Sequence, residues 1–497
     1  VFALDQENYH YTLSAIIPNI MSQMECDKRF SSDYMLLNHE ELSLSDLFRL
    51  LFSSDVEKRK VVDSKENKEE SFERRWLMFV SIVVQKTLQF FSRPLAFVGS
   101  CVEMWLGLLS SNGGFGGLLL NVLTGKVVVP DKESATFVSF IGNFDKRTEL
   151  DKSIEIGDPR YNAALAMMAA KASYENPIYI QTIVNNHWQM EFLGSFDFWN
   201  EYQNKATTQA FLMRDTTQPG EEETIVVSFR GTEPFDADAW CSDFDISWYE
   251  FPGVGRVHGG FMKALGLQKS LGWPKTLQQQ ESPSSARPNY KFAYYEIREM
   301  LRELMGRNDR AKYVVTGHSL GGALAVLFAA VLTFHGEEML LERMEGIYAF
   351  GQPRVGDAKF GEYMKRKLEE YGIRYYRFVY GYDIVARLPY DNSALMFKHF
   401  GTCIYFDRNY LAQVVVEEPN KNYFSLMGTL SMIWNAMMEI IRSFTICRSH
   451  GEEYREGWFM RLFRIMGLLI PGIPAHCPQD YVNSTRLGPP HLFSSSL

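Results

Sequence analysis

A serine between two glycines is the residue of this sequence best suited to nucleophilic chemistry. Ser319 stands in VVTGHSLGGALA, with Gly317 before it and Gly321 after it. A β-branched run leads into this segment and an Ala/Leu-rich run follows it, so the chain must turn sharply from a strand into a helix. Glycines are needed where a Cβ would clash in such a turn. The pattern predicts a strained turn that presents Ser319 as a nucleophile. The alternative is a glycine-rich helix start that Ser319 caps.

Two aspartates after the serine are candidates for the acid of a catalytic triad. A serine hydroxyl needs a histidine to take its proton, and that histidine needs a carboxylate to orient it. Asp357 begins a helical pattern and is predicted to be an N-cap, whereas Asp383 lies in a turn after the predicted strand YYRFVYGY. Because the acid is expected in a loop at the carboxyl end of a strand, the sequence favours Asp383.

Four histidines follow Asp383, and the residues alone leave the choice of the base open among them. His399 lies in a predicted strand, His450 in a charged loop and His491 near the serine-rich end. His476 lies in PGIPAHCPQD, where prolines on both sides stiffen a loop that can return to the site. The sequence favours His476 as the base.

Acyl transfer also needs two hydrogen-bond donors where negative charge develops on the tetrahedral intermediate. The first predicted donor is the backbone N–H of Leu320, next to the nucleophile. The second is predicted at Thr232, in the loop after the strand pattern TIVVSFRGT. The alternative for that loop is a simple turn that ends a strand.

From about residue 160 the sequence alternates between strand and helix patterns. The strand patterns are TTQAFLMRD, TIVVSFRG, KYVVTG, GIYAFG and YYRFVYG, and the helix patterns include NAALAMMAAKASYE, FAYYEIREMLRELMG and DAKFGEYMKRKLEEYG. Such alternation predicts an α/β fold with a mostly parallel central sheet and helices on both faces. We assign residues 131–497 to this domain. The polar, Pro/Ser-rich stretch 273–289 is predicted to be a mobile surface insertion.

The N-terminal part of the chain has a different composition. Residues 1–75 form a segment whose mixed-charge run, 54–75, is predicted to be a solvated linker or an exposed helix. Residues 76–130 are mostly apolar and aromatic, but charges interrupt the first two thirds. A membrane-spanning helix needs about 20 residues with few charges. We therefore predict two short helices, bent at Arg93-Pro94, that lie in one lipid leaflet. The alternative is a helical cap packed on the next domain.

The composition restricts the classes of partner. The chain has 497 residues, enough for one large or two ordinary domains, and a formal net charge of −9. An acidic chain without a basic stripe argues against a nucleic-acid partner. The six cysteines are widely spaced, which indicates reduced thiols in a cytosolic setting and no zinc site. No secretory signal is visible in the first residues, VFALDQENYH.

Five segments, FRGTE, GHSLGGALA, GQPRVGD, YDIVARLP and IPAH, closely resemble, in this order, the class-three lipases of fungi and plants. The resemblance covers about residues 160–490 and implies an α/β-hydrolase fold. It implies that Ser319 is the nucleophile, Asp383 the acid and His476 the base, and it supports the loop threonine as an oxyanion donor. One departure is Ala386, which replaces the proline commonly found in D-I-V-P-R-L-P and affects the stiffness of the loop.

The segment after FRGT carries aromatic residues interleaved with acidic ones. In lipases of this type the matching segment is a lid, so the resemblance implies a lid at about 233–250 with Phe235, Trp240 and Phe244 on its inner face. The alternative is a fixed surface helix. A second apolar, Met-rich segment, 424–441, is predicted to be either a buried helix or a helix that contacts lipid.

The whole layout resembles the plant oil-body lipases. The resemblance implies hydrolysis of stored triacylglycerol through an acyl-enzyme, at the monolayer of a lipid droplet on its cytosolic face, without a metal or organic cofactor. A second possibility is an A1-type acyl hydrolase of phospholipid or galactolipid. A lipase-like interaction protein without catalysis and a droplet-coating protein are further alternatives. Exposed apolar arms are also compatible with a homo-oligomer.

Overall fold

The protein is represented by a computed structural model, which describes most of the chain. The described residues are 30–37, 44–52, 61–65, 71–217, 223–268, 271–277, 290–391, 395–421 and 426–493. The predicted mixed-charge run lies partly outside the described residues, and so does most of the predicted mobile insertion, from 278 to 289.

The described residues form fourteen α-helices and twelve strands. The helices are α1 (Leu44–Phe52), α2 (Phe72–Ser111), α3 (Gly114–Thr124), α4 (Tyr161–Ala172), α5 (Pro177–Thr182), α6 (Ala237–Phe244), α7 (Gly259–Leu265), α8 (Ala293–Arg307), α9 (Leu320–His335), α10 (Glu338–Arg343), α11 (Ala358–Glu370), α12 (Leu426–His450), α13 (Trp458–Met466) and α14 (Pro478–Leu487). The strands are β1 (Asp33–Leu37), β2 (Val62–Ser64), β3 (Glu191–Asn200), β4 (Lys205–Asp215), β5 (Thr224–Phe229), β6 (Trp248–Phe251), β7 (Gly255–His258), β8 (Lys312–His318), β9 (Met344–Phe350), β10 (Arg374–Tyr380), β11 (Thr402–Phe406) and β12 (Ala412–Val415).

The larger sheet has eight strands in the order β12-β11-β10-β9-β8-β5-β4-β3. The five strands from β11 to β5 are parallel to one another, and antiparallel strands complete both edges. In the centre, Val315 of β8 pairs with Val227 on one side and with Ile347 on the other. The predicted mostly parallel sheet is confirmed.

Each face of this sheet carries its own apolar core. Successive residues of a strand point to opposite faces, and Val314 and Val315 accordingly belong to different clusters. Val315 packs with α9 and α8 in one core. Val314 packs with α4 and α14 in the other. The structure therefore has helices on both faces of the sheet, in the arrangement of an α/β-hydrolase.

A second, antiparallel sheet has the order β2-β1-β6-β7. It joins the N-terminal segment to the α/β domain, because Tyr34 of β1 pairs with Tyr249 of β6. Met35, Ile82 and Trp248 lie in one buried cluster beneath it. Sequence reasoning missed this sheet, since its strands are short and their partners lie far away in the chain.

The bend predicted in the apolar N-terminal region is wrong. α2 is a single helix of 40 residues that continues through Pro94, about 60 Å at 1.5 Å per residue. The helix contacts the rest of the chain on both sides of the proline: Ser81 donates to Phe244 O at 2.7 Å, and Glu103 accepts from Phe140 N at 3.2 Å. The chain turns instead at Asn112, whose side-chain amide donates to two backbone carbonyls.

By length and composition, α2 is the one helix in the described part of the chain that is long and apolar enough to cross a membrane. Its N-terminal half nevertheless packs on the domain, because Met78, Ile82 and Gln85 are fully buried. The structure therefore combines a helix packed as a cap with the exposed apolar side chains that were predicted to lie in a lipid leaflet.

Candidate active site

Ser319 lies in the turn between β8 and α9. Its backbone has φ 59° and ψ −131°, a strained conformation for a residue with a side chain. A Cβ on Gly317 would lie 2.2 Å from the carbonyl carbon of Gly321, and one on Gly321 would lie 2.2 Å from Phe229 O. The glycines of the motif therefore permit the close backbone approach that the sharp turn requires.

Asp383 and His476 form a hydrogen-bonded pair. Asp383 follows β10 in a turn and is fully buried, and its Oδ1 accepts from Val385 N at 2.8 Å. Nδ1 of His476 lies 2.8 Å from Oδ2 of Asp383. With Nδ1–H directed at the carboxylate, Nε2 of His476 is left as the nitrogen that can accept a proton.

The ends of β8, β9 and β10 bring this pair to the serine. Ser319 N donates to Phe350 O, the last residue of β9, at 2.8 Å. A Cβ on the next residue, Gly351, would lie 2.7 Å from Asp383 Oδ2 and 3.1 Å from His476 Cε1. The three residues predicted from the sequence therefore meet at the carboxyl edge of the parallel strands.

His318, next to the serine, fixes the backbone of His476. Its Nε2 lies 2.8 Å from His476 O and its Nδ1 lies 2.9 Å from Tyr174 Oη. A carbonyl only accepts, so Nε2 carries the proton and Nδ1 accepts from the tyrosine. Burial, and then the neighbouring His476, hold the pKa of His318 well below its ordinary value, which keeps this ring neutral. Sequence reasoning missed this role.

Tyr481 is a second residue that sequence reasoning missed. Its hydroxyl donates to Asp383 Oδ2 at 2.5 Å, the same oxygen that faces His476. It also accepts from Tyr380 N at 3.3 Å, and its side chain is fully buried. A tyrosine in the helix after the histidine carried no pattern that would have revealed this contact.

The two predicted oxyanion donors lie at the ends of neighbouring parallel strands. Leu320 is the first residue of α9, where a backbone N–H has no partner within the helix. Thr232 follows β5, and its hydroxyl donates to Asp243 Oδ2 at 2.8 Å. Burial raises the pKa of the Asp243 carboxyl to about 7, although the bond from Thr232 acts in the opposite direction. Asp243 belongs to α6 and was not predicted.

The other candidates have structural positions. Asp357 caps α11 and accepts from Phe360 N at 2.9 Å, as predicted. The strand predicted in FKHFGTCIYFD is present as β11, but it begins only at Thr402, so His399 lies before the strand and not within it. Nε2 of His399 lies 2.6 Å from Ala386 O, so this ring fixes the loop after the triad acid.

The remaining two histidines lie at the surface. His450 is the last residue of α12, and His491 lies in a short 3-10 helix near the chain end. Both are exposed to solvent, whereas the Asp383 carboxylate is buried, so His476 is the histidine that the fold delivers to it.

The segment predicted to be a lid contains α6 and the start of β6. Phe235 packs on Phe140 with ring centroids 4.8 Å apart, and Trp240 and Phe244 are half-buried. A cavity of about 370 Å³ lies next to this segment and is bordered by Tyr174, Phe140 and Phe235. Within the described part of the chain, no group of three or more His, Cys, Asp or Glu side chains is arranged to hold a metal ion.

Comparison with known proteins places this geometry in a family. The profile of the family "Lipase (class 3)" matches residues 226–393. The chain is 42% identical over 483 residues to a triacylglycerol lipase OBL1 of Nicotiana tabacum, covering 84% of each chain. It is 40% identical over 500 residues to a triacylglycerol lipase OBL1 of Arabidopsis thaliana, covering 92% of this chain and 95% of the relative.

Among solved structures, a triacylglyceride lipase of Rhizomucor miehei is 24% identical, with a TM-score of 0.38, and covers 54% of this chain and 89% of that one. The matched segment contains Ser319 and Asp383. Because the similarity to the two plant proteins extends over most of both chains, this chain belongs to the class 3 lipase family.

Proposed function

We propose that this protein is a triacylglycerol lipase that acts at the surface of lipid droplets. The observation that carries the proposal is the strained turn at Ser319, with Asp383 and His476 hydrogen-bonded at the same sheet edge. The printed names of the similar tobacco and Arabidopsis proteins, both triacylglycerol lipases, support the choice of substrate.

The proposed reaction is acyl transfer to Ser319 followed by hydrolysis. His476, held in the Nδ1–H tautomer by Asp383, takes the Ser319 proton as the hydroxyl oxygen attacks the ester carbonyl. The Leu320 N–H and Thr232 hold the oxyanion. The C–O bond breaks when His476 protonates the leaving glyceride oxygen. Water then attacks the acyl-enzyme through the same histidine and releases the fatty acid.

Residues 233–250 are proposed to cover the active site until the protein binds a lipid surface. α2 holds this segment from outside, because Ser81 Oγ donates to Phe244 O at 2.7 Å and Cys241 Sγ donates to Gln85 O at 3.5 Å. Opening would expose Phe235 and the cavity beside it. A lipid surface favours this step because it accepts the apolar side chains that water does not.

Residues 76–130 are proposed to attach the enzyme to the cytosolic face of the droplet monolayer. α3 is short and exposes large apolar side chains over much of its length: Phe115, Leu119, Leu120, Val122 and Leu123. Exposed apolar area of this kind is costly in water and favourable in the acyl region of a monolayer.

The decisive test is fatty-acid release from emulsified triolein by the parent protein and by Ser319→Ala. Parallel assays use phosphatidylcholine vesicles and a soluble short-chain ester. We expect strong release from triolein and a loss of at least 10⁴-fold in the variant, as for other triads that lose a member. Release from phospholipid alone would assign the protein to the A1-type acyl hydrolases. No release from any ester would contradict the enzyme assignment.

A further inference from the structure

The surface of α12 is apolar along one stripe. Its exposed large residues recur three and four positions apart, so they share one face of the helix. They are between 44% and 74% exposed and comprise Leu430, Trp434, Met437, Ile441 and Phe444. A helix of a soluble domain normally directs such a stripe toward the core.

α13 and the turn that follows it repeat this arrangement. The exposed residues are again spaced by three and four, and Leu469 is the most exposed at 83%. The series is Trp458, Leu462, Ile465, Met466 and Leu469. Two consecutive helices therefore present apolar faces to the outside; together these ten residues are named the α12–α13 face.

The opposite sides of the same helices carry buried charges. Arg464 of α13 donates to Glu456 at 2.6 and 2.7 Å and to Asp480 at 3.0 Å. Arg442 of α12 donates to Asp480 at 2.8 Å, and Glu439 is buried next to them. The polarity is thus inverted, with ion pairs inside and apolar side chains outside.

α11 shows that this inversion is local. It buries Phe360, Met364 and Leu368 and exposes charged residues such as Lys365, as a helix on a soluble domain should. If no other protein covers these two helices, a lipid environment is what makes apolar side chains on their outer faces favourable, because the exposed apolar groups then leave water.

The two helices form one rigid surface. Arg461 of α13 donates to Ser443 O of α12 at 3.0 Å, and its guanidinium lies over the ring of Phe444 at 4.4 Å. The stripes are consequently held side by side before any lipid is bound, so little conformational entropy is lost on binding.

The α12–α13 face lies near both the α2–α3 region and the candidate active site. A groove of about 1020 Å³ has Trp105 and Phe115 of the α2–α3 region on one wall and Trp458 and Phe459 on the other. Beneath α13, Phe144, Met460 and Cys477 pack in one cluster, and Cys477 directly follows the triad histidine.

We propose that the α12–α13 face is a second lipid-docking surface, which binds the phospholipid monolayer of a droplet alongside α2 and α3. The inference rests on the proposed function, since that substrate lies beneath such a monolayer. The surface lies outside the segment matched by the family profile, 226–393. Docking of the α12–α13 face would hold the part of the domain that contains His476 against the oil. The N-terminal region would anchor the chain at the same time.

The test uses the full chain and triolein droplets coated with phosphatidylcholine, separated by flotation. Two variants place charges on the surface, Leu462→Glu/Leu469→Glu and Trp434→Glu/Ile441→Glu. The matched control is Met339→Glu, an exposed apolar residue of α10, which precedes the central strand β9 and therefore lies at the amino ends of the parallel strands. We expect each double variant to lower the droplet partition coefficient at least ten-fold, and the control to lower it less than two-fold.

Turnover of a soluble short-chain ester checks that the variants are folded and should stay within two-fold of the parent. Tryptophan quenching by brominated phosphatidylcholine gives a second reading. Trp434→Phe/Trp458→Phe should lose a measurable part of the quenched signal that Trp199→Phe retains, because Trp199 lies in β3, outside both proposed lipid-contacting regions. Unchanged partition together with unchanged quenching would overturn the proposal.

A homo-oligomer is the competing occupant of the face. If sedimentation shows a parent dimer that the glutamate variants dissociate, while droplet binding is unchanged, the face is a subunit interface and the proposal is wrong. Failure of the proposed function is distinguishable, since it would appear as a parent that binds droplets but releases no fatty acid from triolein.

Discussion

At the scale of single residues, one carboxylate oxygen organises the site. Oδ2 of Asp383 lies 2.8 Å from Nδ1 of His476 and accepts from the Tyr481 hydroxyl at 2.5 Å. Two donors on one oxygen fix the carboxylate plane, and the carboxylate in turn fixes the imidazole. Tyr481 is therefore a positioning residue, which acts on the reaction through Asp383.

Tyr481→Phe should lower kcat about three- to ten-fold and leave KM for a soluble ester unchanged. The reason is that loss of a hydrogen bond worth about 1 kcal/mol affects the orientation of the base and leaves substrate contacts intact. Steady-state kinetics would measure this split. Tyr410→Phe is the matched control, because its hydroxyl donates to Asp480 at 2.7 Å and does not reach the triad acid. A KM change with constant kcat would contradict the role.

Asp243→Asn should stabilise the protein at pH 8 and leave its stability near that of the parent at pH 4. Burial raises the pKa of Asp243 to about 7 from its usual 3.8. The folded chain then binds this proton more tightly than the unfolded chain, so stability falls as the pH rises from about 4 to about 7. Asparagine does not titrate, and its oxygen still accepts from Thr232.

Thermal unfolding at the two pH values measures this difference. The matched control is Asp238→Asn, the same exchange on the same helix at a carboxylate that is 39% exposed in its side chain. An Asp243→Asn effect of equal size at both pH values would mean that titration is not its cause.

At the scale of elements, hydrogen bonds join α2 to α6, the helix of the segment proposed to be a lid. Gln85 Nε2 donates to Ser81 Oγ at 3.0 Å. The Tyr202 hydroxyl lies 3.1 Å from Gln85 Oε1 and 3.2 Å from Cys241 O, so its single proton is shared between these two acceptors. Because α2 also carries exposed apolar residues such as Phe90 and Phe97, lipid contact with α2 and release of α6 are expected to be coupled.

Gln85→Cys should form a disulfide with the native Cys241 under mild oxidant, since Cys241 Sγ lies 3.5 Å from the Gln85 carbonyl. We expect triolein hydrolysis to fall at least ten-fold in the cross-linked protein and to recover with a reductant. Mass spectrometry of peptides would verify the bond.

Gln85→Cys/Cys241→Ser, treated with the same oxidant, is the control for the other cysteines. Full triolein turnover by a verified cross-linked protein would show that α2 and α6 need not separate.

At the scale of the whole molecule, buried ion pairs join the α12–α13 face to the catalytic domain. Arg464 contacts acidic residues before α13 and in α14, and α14 also carries Tyr481. Lipid-facing helices and the triad acid are therefore connected through one helix. The network satisfies its charges internally, as it must when the outer faces are apolar.

Arg464→Met should lower the free energy of unfolding by about 3–5 kcal/mol, because the buried carboxylates of Glu456 and Asp480 would lose the guanidinium that donates to both, and Arg442 alone would remain to pair with them. Urea unfolding followed by tryptophan fluorescence would measure it. Arg455→Met is the control, since it breaks only a surface pair with Glu452 and should leave the free energy of unfolding nearly unchanged. Equal losses in both variants would show that burial adds nothing to the ion pairs.

Features that depend on local sequence patterns could be predicted from the amino-acid sequence. The turn at Ser319 needs glycines at fixed spacing, and the strands KYVVTG and YYRFVYG need buried β-branched and aromatic residues; β8 and β10 follow them closely. Chain order and strand ends were enough to choose Asp383, and the family resemblance singled out His476 among four histidines.

Interactions between residues that are distant in the chain became visible only in the folded structure. Tyr481 and His318 show no motif, because their roles depend on which atoms the fold brings within hydrogen-bonding distance. Pro94 predicts a bend, but α2 continues through it, and the helix contacts the rest of the chain on both sides of the proline. The sequence predicts that the segment 424–441 is either a buried helix or a helix that contacts lipid, because the spacing of its apolar residues predicts an apolar face but not whether that face points to the core or outward. The direction follows from the ion pairs on the opposite side of the helix, which form only after residues from three helices have met.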